Sequence, residues 1–227
     1  LPLGIYVTLG VLLPALFVVI GVSIRETGIV RTDVAQRLSL LIPVFAAFVL
    51  FNEDLSPIKA GGIFVGFIAV ICSIPWGTKA DSKTGKGGWI YLLIVFLGMG
   101  LIDVLFKQIA VLKVAPFTTS LLVIYCLAFF LSIVTLLFLS FKKAVFSVKH
   151  LVAGCILGIF NFGNILFYLK AHQAESDRPS LVFSAMNIGV IAAGSLVGLW
   201  IFNEKLSRLN KAGIVLAIIS ILIIFNS

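Results

Sequence analysis

The chain has 227 residues, 61% of them apolar and only 11% charged, with a net charge of +8 and a strongly positive mean hydropathy. A soluble domain has too little interior to hide that much apolar surface. The apolar residues run in blocks of about 20, the length a helix needs to cross roughly 30 Å of hydrocarbon. The blocks are apolar all round, whereas barrel strands alternate apolar and polar residues. The sequence therefore predicts an all-α integral membrane protein with the lipid bilayer as its surroundings.

In chain order, the first three helices are expected at about 3–23, 32–51 and 57–75. A polar stretch, 77–87, with Lys79, Asp81, Lys83 and Lys86, reads as a linker. Two more helices follow at about 88–110 and 117–140, with Pro116 marking the turn between them. A basic loop carries Lys142, Lys143 and Lys149. The sixth helix is expected at about 150–171. The seventh, about 179–202, has Pro179 in its first turn, where a helix tolerates proline. The eighth is expected at about 209–226.

The short segment between the second and third helices returns between the seventh and eighth. Phe51-Asn52-Glu53-Asp54-Leu55-Ser56 matches Phe202-Asn203-Glu204-Lys205-Leu206-Ser207 at an offset of 151 residues. Carried on without a gap, the match reaches Gly62 with Gly213 and Ile63 with Ile214, seven identities in thirteen positions. An internal repeat sets the architecture before other signals are read. Its register pairs helices one to three with six to eight and leaves four and five without counterparts. The simplest account is a five-helix repeat preceded by a repeat that lacks its first two helices. An odd number of helices per repeat makes the copies cross the membrane in opposite senses, a recurrent transporter plan.

On these residues the chain resembles the EamA-like permeases of the drug/metabolite transporter superfamily. Members have two five-helix repeats, the fourth helix of each ending in a glutamate, followed by a leucine and a glycine-bearing fifth helix. The matching residues are Leu41-Ile42-Pro43 leading to Glu53-Asp54-Leu55 and Gly61-Gly62, then Glu204-Lys205-Leu206 leading to Gly213. Gly194 stands where the second copy would carry the proline. The resemblance implies repeats at 1–76 (truncated) and 88–227. It also implies an exporter of small organic metabolites or drugs in a bacterial inner (plasma) membrane, working by alternating access without a cofactor. A small-molecule solute and protons or another coupling ion would be its partners. The rival readings are a non-transporting accessory subunit and a membrane-embedded lipid-modifying enzyme.

Ionisable residues inside spans are costly unless paired or facing a wet cavity, and so mark candidate sites. Asp33 with Arg37 and Asp103 with Lys107 each stand four apart, one helical turn, so each pair can neutralise itself on one face. Asp103 and Lys107 fall in the first helix of the complete repeat, where the resemblance implies that the substrate path is lined. Asn161, Asn164 and Tyr168 share a face of the sixth helix and suit either interhelical hydrogen bonds or a polar solute. Asn187 in the seventh could join them. Glu53 and Glu204 fit two readings, a proton relay or a structural clamp, and their repetition in both orientations favours the clamp.

Other chemistries find no support in the residues. Cys72, Cys126 and Cys155 are isolated in apolar runs, and His150 and His172 lack spaced partners, so no metal site is expected. The Gly85-Lys86 step lacks the following Ser or Thr of a phosphate loop. No catalytic triad spacing appears. Lys and Arg flank apolar runs without interleaved aromatics, which suits a membrane surface rather than nucleic acid. Alternating through eight helices puts eleven Lys and Arg on one face against Lys59, Lys113 and Arg178 on the other. Charge bias makes the first face cytoplasmic, whereas the resemblance implies the reverse, and nothing in the sequence sets the oligomeric state.

Overall fold

A computed structural model describes residues 2–54, 56–73, 88–111, 116–141, 147–200 and 208–226. The linker 77–87, the second motif copy with Glu204, and the side chain of Asn187 lie outside the described residues. What is described is helical, in nine segments: α1 Leu3–Thr27, α2 Ile29–Leu38, α3 Leu41–Val49, α4 Pro57–Ser73, α5 Gly88–Val111, α6 Phe117–Phe141, α7 Val148–Ala174, α8 Pro179–Trp200 and α9 Arg208–Phe225. Five stretches among them are long and apolar enough to cross a membrane: Leu3–Thr27, Arg31–Val49, Gly88–Val111, Thr118–Phe138 and Val148–Ala174. Their outward faces carry Phe45, Phe129, Phe130 and Phe138, each at least 60% exposed. In water such surface would drive aggregation, whereas hydrocarbon is its natural solvent. The protein is a helical integral membrane protein.

Nine segments replace the eight expected because the second helix is kinked. Pro43 has no N–H to give the Ser39 carbonyl and crowds it with its ring. The Ile42 N–H takes that carbonyl instead at 3.0 Å, and the Leu40 N–H turns to Arg37 at 3.4 Å. These three-residue bonds tighten one turn between α2 and α3, with Ser39 and Leu40 still in right-handed conformation. Before it, Gly28 at φ 92° breaks α1 from α2. There Ser23 Oγ and Thr32 Oγ1, both buried, meet at 2.8 Å and hold the two helices together across the break.

The chain divides into two compact units. One contains residues 1–17 and 105–176, comprising the start of α1, the end of α5, and α6 with α7. Within it Tyr6 Oη and Ser120 Oγ are 2.7 Å apart. A Cβ added to Gly10 would lie 2.8 Å from Leu127 Cβ, so α1 and α6 approach closely. The second unit contains residues 18–104 and 177–227. There α4 lies against α9 through Gly62 and Gly66, whose missing side chains admit Ile223, Ile224 and Ser220. Ser220 Oγ donates to the Gly62 carbonyl at 2.7 Å, and Ala69, Ile188 and Leu216 pack together nearby. Small residues at helix contacts, bridged by a hydroxyl, are how helices associate without a hydrophobic drive between them.

Candidate functional site

Three helix ends meet at Glu53, within the second unit. α3 stops where Asn52 takes a left-handed conformation, φ 52°, which Asn tolerates better than other side chains. The reversal lets the Glu53 N–H reach back to the Ala47 carbonyl at 3.1 Å. α4 then starts afresh: Pro57 occupies its first position, and Ser56 Oγ accepts the Lys59 N–H at 3.1 Å, an N-terminal cap. Lys59 is thereby fixed in the first turn, and its Nζ donates to Glu53 Oε1 at 2.9 Å and to the Asp54 carbonyl at 3.0 Å. Both side chains are buried, Glu53 to 2% exposure and Lys59 to 9%.

The rest of the Glu53 carboxylate belongs to α8. Ser180 Oγ donates to Oε1 at 2.6 Å and the Ser180 N–H to Oε2 at 2.7 Å. Ser180 lies in the first turn of α8, whose N–H groups have no intrahelical partners and form the positive end of the helix dipole. A carboxylate there satisfies one such donor and is itself stabilised. Two residues earlier, Arg178 Nη2 donates to the Ile224 and Phe225 carbonyls, both at 2.9 Å. Both carbonyls belong to the last turn of α9, the negative end of its dipole. Opposite charges thus cap opposite dipole ends, tying α3, α4, α8 and α9 together.

A second buried charge lies in the other unit. Lys107 of α5 has no exposed surface, and its Nζ donates to the Ser176 carbonyl at 2.7 Å, just beyond the C-terminus of α7. The dipole of α7 favours a cation at that position. Tyr168 and His172, one turn apart on α7, are both buried and stack edge-on with centroids 4.6 Å apart. Asp103, one turn before Lys107 on α5 and grouped with the second unit, is 9% exposed.

The remaining sequence candidates separate. Asp33 Oδ2 and Arg37 Nε pair at 2.7 Å, but their side chains are 37% and 25% exposed, so the pair is a partly solvated one-turn bridge worth about 0.3–0.5 kcal/mol. Asn161 is half-buried and Asn164 exposed, while Tyr168 on the same face is buried. Among the described residues no group of three His, Cys, Asp or Glu could hold a metal ion, and the three cysteines are free. Between α6 and α7 lies a half-open apolar cavity of about 230 Å³ lined by Thr118, Leu121, Leu122, Tyr125, Phe162 and Leu166. That is smaller than the roughly 300 Å³ at which small-molecule pockets begin.

Sequence reasoning passed over Lys59, Ser180 and Arg178 as site residues and gave no role to Asn52. Local signals existed for two of them. Ser56-Pro57 is a helix start, which makes Lys59 a first-turn residue, and an Asn straight after an apolar run is a left-handed stop. No local signal linked Glu53 to Ser180.

The helices and their buried charges define an integral membrane protein built wholly of helices among the described residues. No family model matches the chain. An uncharacterised protein of Haemophilus influenzae is 39% identical over 221 residues, covering 97% of this chain and 75% of the relative. The chain belongs to the family of that protein.

Proposed function

We propose that the protein is a secondary transporter that moves small organic solutes, as an exporter, across a bacterial inner membrane. The observation that carries this reading is the burial of Asp103 and Lys107 in α5, a helix long and apolar enough to span the bilayer. Ionisable residues buried along a membrane-spanning helix are a signature of solute and ion pathways. The substrate path runs past these two residues of α5. Glu53 serves as a clamp.

The architecture proposed is eight spans in two inverted repeats. The five long apolar stretches are joined by three shorter apolar helices, Pro57–Cys72, Pro179–Val190 and Lys211–Phe225. Two helix starts agree with the repeat register to within one residue: α2 begins at Ile29 and α8 at Pro179, 150 residues apart. A quarter of the Haemophilus influenzae relative lies outside the match, room for two further helices of about 20 residues.

The test is transport by the full-length protein in sealed vesicles without nucleotide. A panel of labelled amines, amino acids, nucleosides and drugs should include at least one solute that exchanges across the membrane. Asp103→Asn and Lys107→Met should slow that exchange at unchanged protein level. Parental rates in both variants would remove these residues from the path, and no exchange of any solute would remove the function.

A further inference from the structure

The first half of α7 is bare on every side. All thirteen residues from Val148 to Phe160 are exposed, Leu151 to 69% and Phe160 to 74%. A Cβ added to Gly154 or Gly158 would meet nothing within 4 Å. Lipid alone is a poor cover for this surface. Asn161 stands midway along α7 and Asn164 one turn further on, and neither amide makes a hydrogen bond among the described residues. Amides turned to hydrocarbon carry the full cost of lost hydration.

The repeat register of the proposed architecture says what covers it. α1 buries Tyr6, Leu9, Gly10, Leu13 and Leu16, the side on which it meets α6 through Ser120 and Leu127. Moved on by 151 residues, those positions are Leu157, Phe160, Asn161, Asn164 and Phe167. Four of the five are exposed and Asn161 is half-buried. The correspondence also runs the other way. α7 meets α6 on its opposite side, through Phe162 and Leu166 at the small cavity, and their partners on α1, Val11 and Ala15, are exposed. α6 therefore meets one side of each helix, and the equivalent opposite sides meet nothing among the described residues.

We infer that a further membrane-spanning helix, the first repeat's equivalent of α6, packs on α7 at Leu157, Phe160, Asn164 and Phe167 and on α1 at Val11 and Ala15. It is supplied by the part of the family's longer chain that lies outside these 227 residues, the match to the relative leaving a quarter of that protein uncovered. The helix is apolar over about 20 residues and carries a hydroxyl or amide at the level of Asn161 and Asn164, as Ser120 on α6 meets Tyr6. The inference depends on the repeat register and not on transport, so the two fail separately.

The experiment places the photo-reactive residue p-benzoylphenylalanine at Phe160, at Phe167 and, as control, at Ile159, in the full-length protein in its membrane. Ile159 is 71% exposed and is the register partner of Thr8, which α1 leaves exposed. Phe160 and Phe167 should give adducts within one chain, several-fold above Ile159, that map to an apolar segment preceding Leu1. Ile159 should label lipid. Adducts of doubled mass would assign the surface to a second copy and overturn the inference. So would lipid adducts alone from all three positions, or adducts confined to residues 1–227.

Discussion

The carboxylate of Glu53 and the backbone N–H of Ser180 meet at 2.7 Å across 127 residues of sequence. The same carboxylate holds Lys59 at 2.9 Å, so one side chain both neutralises a buried cation and caps the start of α8. A buried ion pair adds little net stability, because desolvation offsets its Coulomb attraction, but losing one member strands the other.

Glu53→Gln should therefore destabilise the protein strongly, by about 3–5 kcal/mol, as expected when one partner of a buried pair is removed. Removing both charges in Glu53→Gln with Lys59→Met should recover much of that loss. Thermal unfolding in detergent, followed by the fraction that stays monodisperse, measures both. Equal loss in the single and double variants would mean that the lysine was never the stranded charge.

Asn52 makes a backbone prediction independent of charge. At φ 52° a β-branched residue meets the full left-handed penalty, about 1–2 kcal/mol, whereas glycine meets none. Asn52→Val should lower the unfolding midpoint and Asn52→Gly should leave it near the parental value. A midpoint for Asn52→Val equal to the parent would contradict the left-handed stop.

Gly10 and Gly61 should answer differently to the same methyl. An added Cβ at Gly10 would stand 2.8 Å from Leu127 Cβ, an atom close to its own backbone, whereas at Gly61 it meets open space. Gly10→Ala should cost about 1–3 kcal/mol through overpacking, and Gly61→Ala should be neutral or slightly stabilising, since alanine favours helix. Unfolding in a graded detergent series compares the two variants directly.

Ser220→Ala removes the hydroxyl that donates to the Gly62 carbonyl at 2.7 Å. The expected cost is about 0.6 kcal/mol, the typical value for a hydrogen bond between membrane helices, well below that of Gly62→Leu at the same contact. A Ser220→Ala loss as large as the glycine variant's would show that the hydroxyl, rather than close approach, holds α4 to α9.

What the sequence determined was set by periodicity and length. Runs of about 20 apolar residues are legible because hydrocarbon thickness dictates them, and α1, α5, α6 and α7 lie where those runs predict. The position of α4 was legible too, since Ser56 and Pro57 are local start signals. The kink between α2 and α3 was written in Pro43 but hidden by an apolar run that reads as one helix. The partners of the buried charges were decided only by tertiary structure. Lys59 and Arg178 counted as flanking surface charges, yet one neutralises Glu53 and the other caps α9. Ser180 carries no pattern that points to Glu53. Helix formation depends on neighbours three and four residues apart, and those are visible along the chain. Which helix end a carboxylate meets depends on how the helices pack, and a contact across 127 residues leaves no local trace in the sequence.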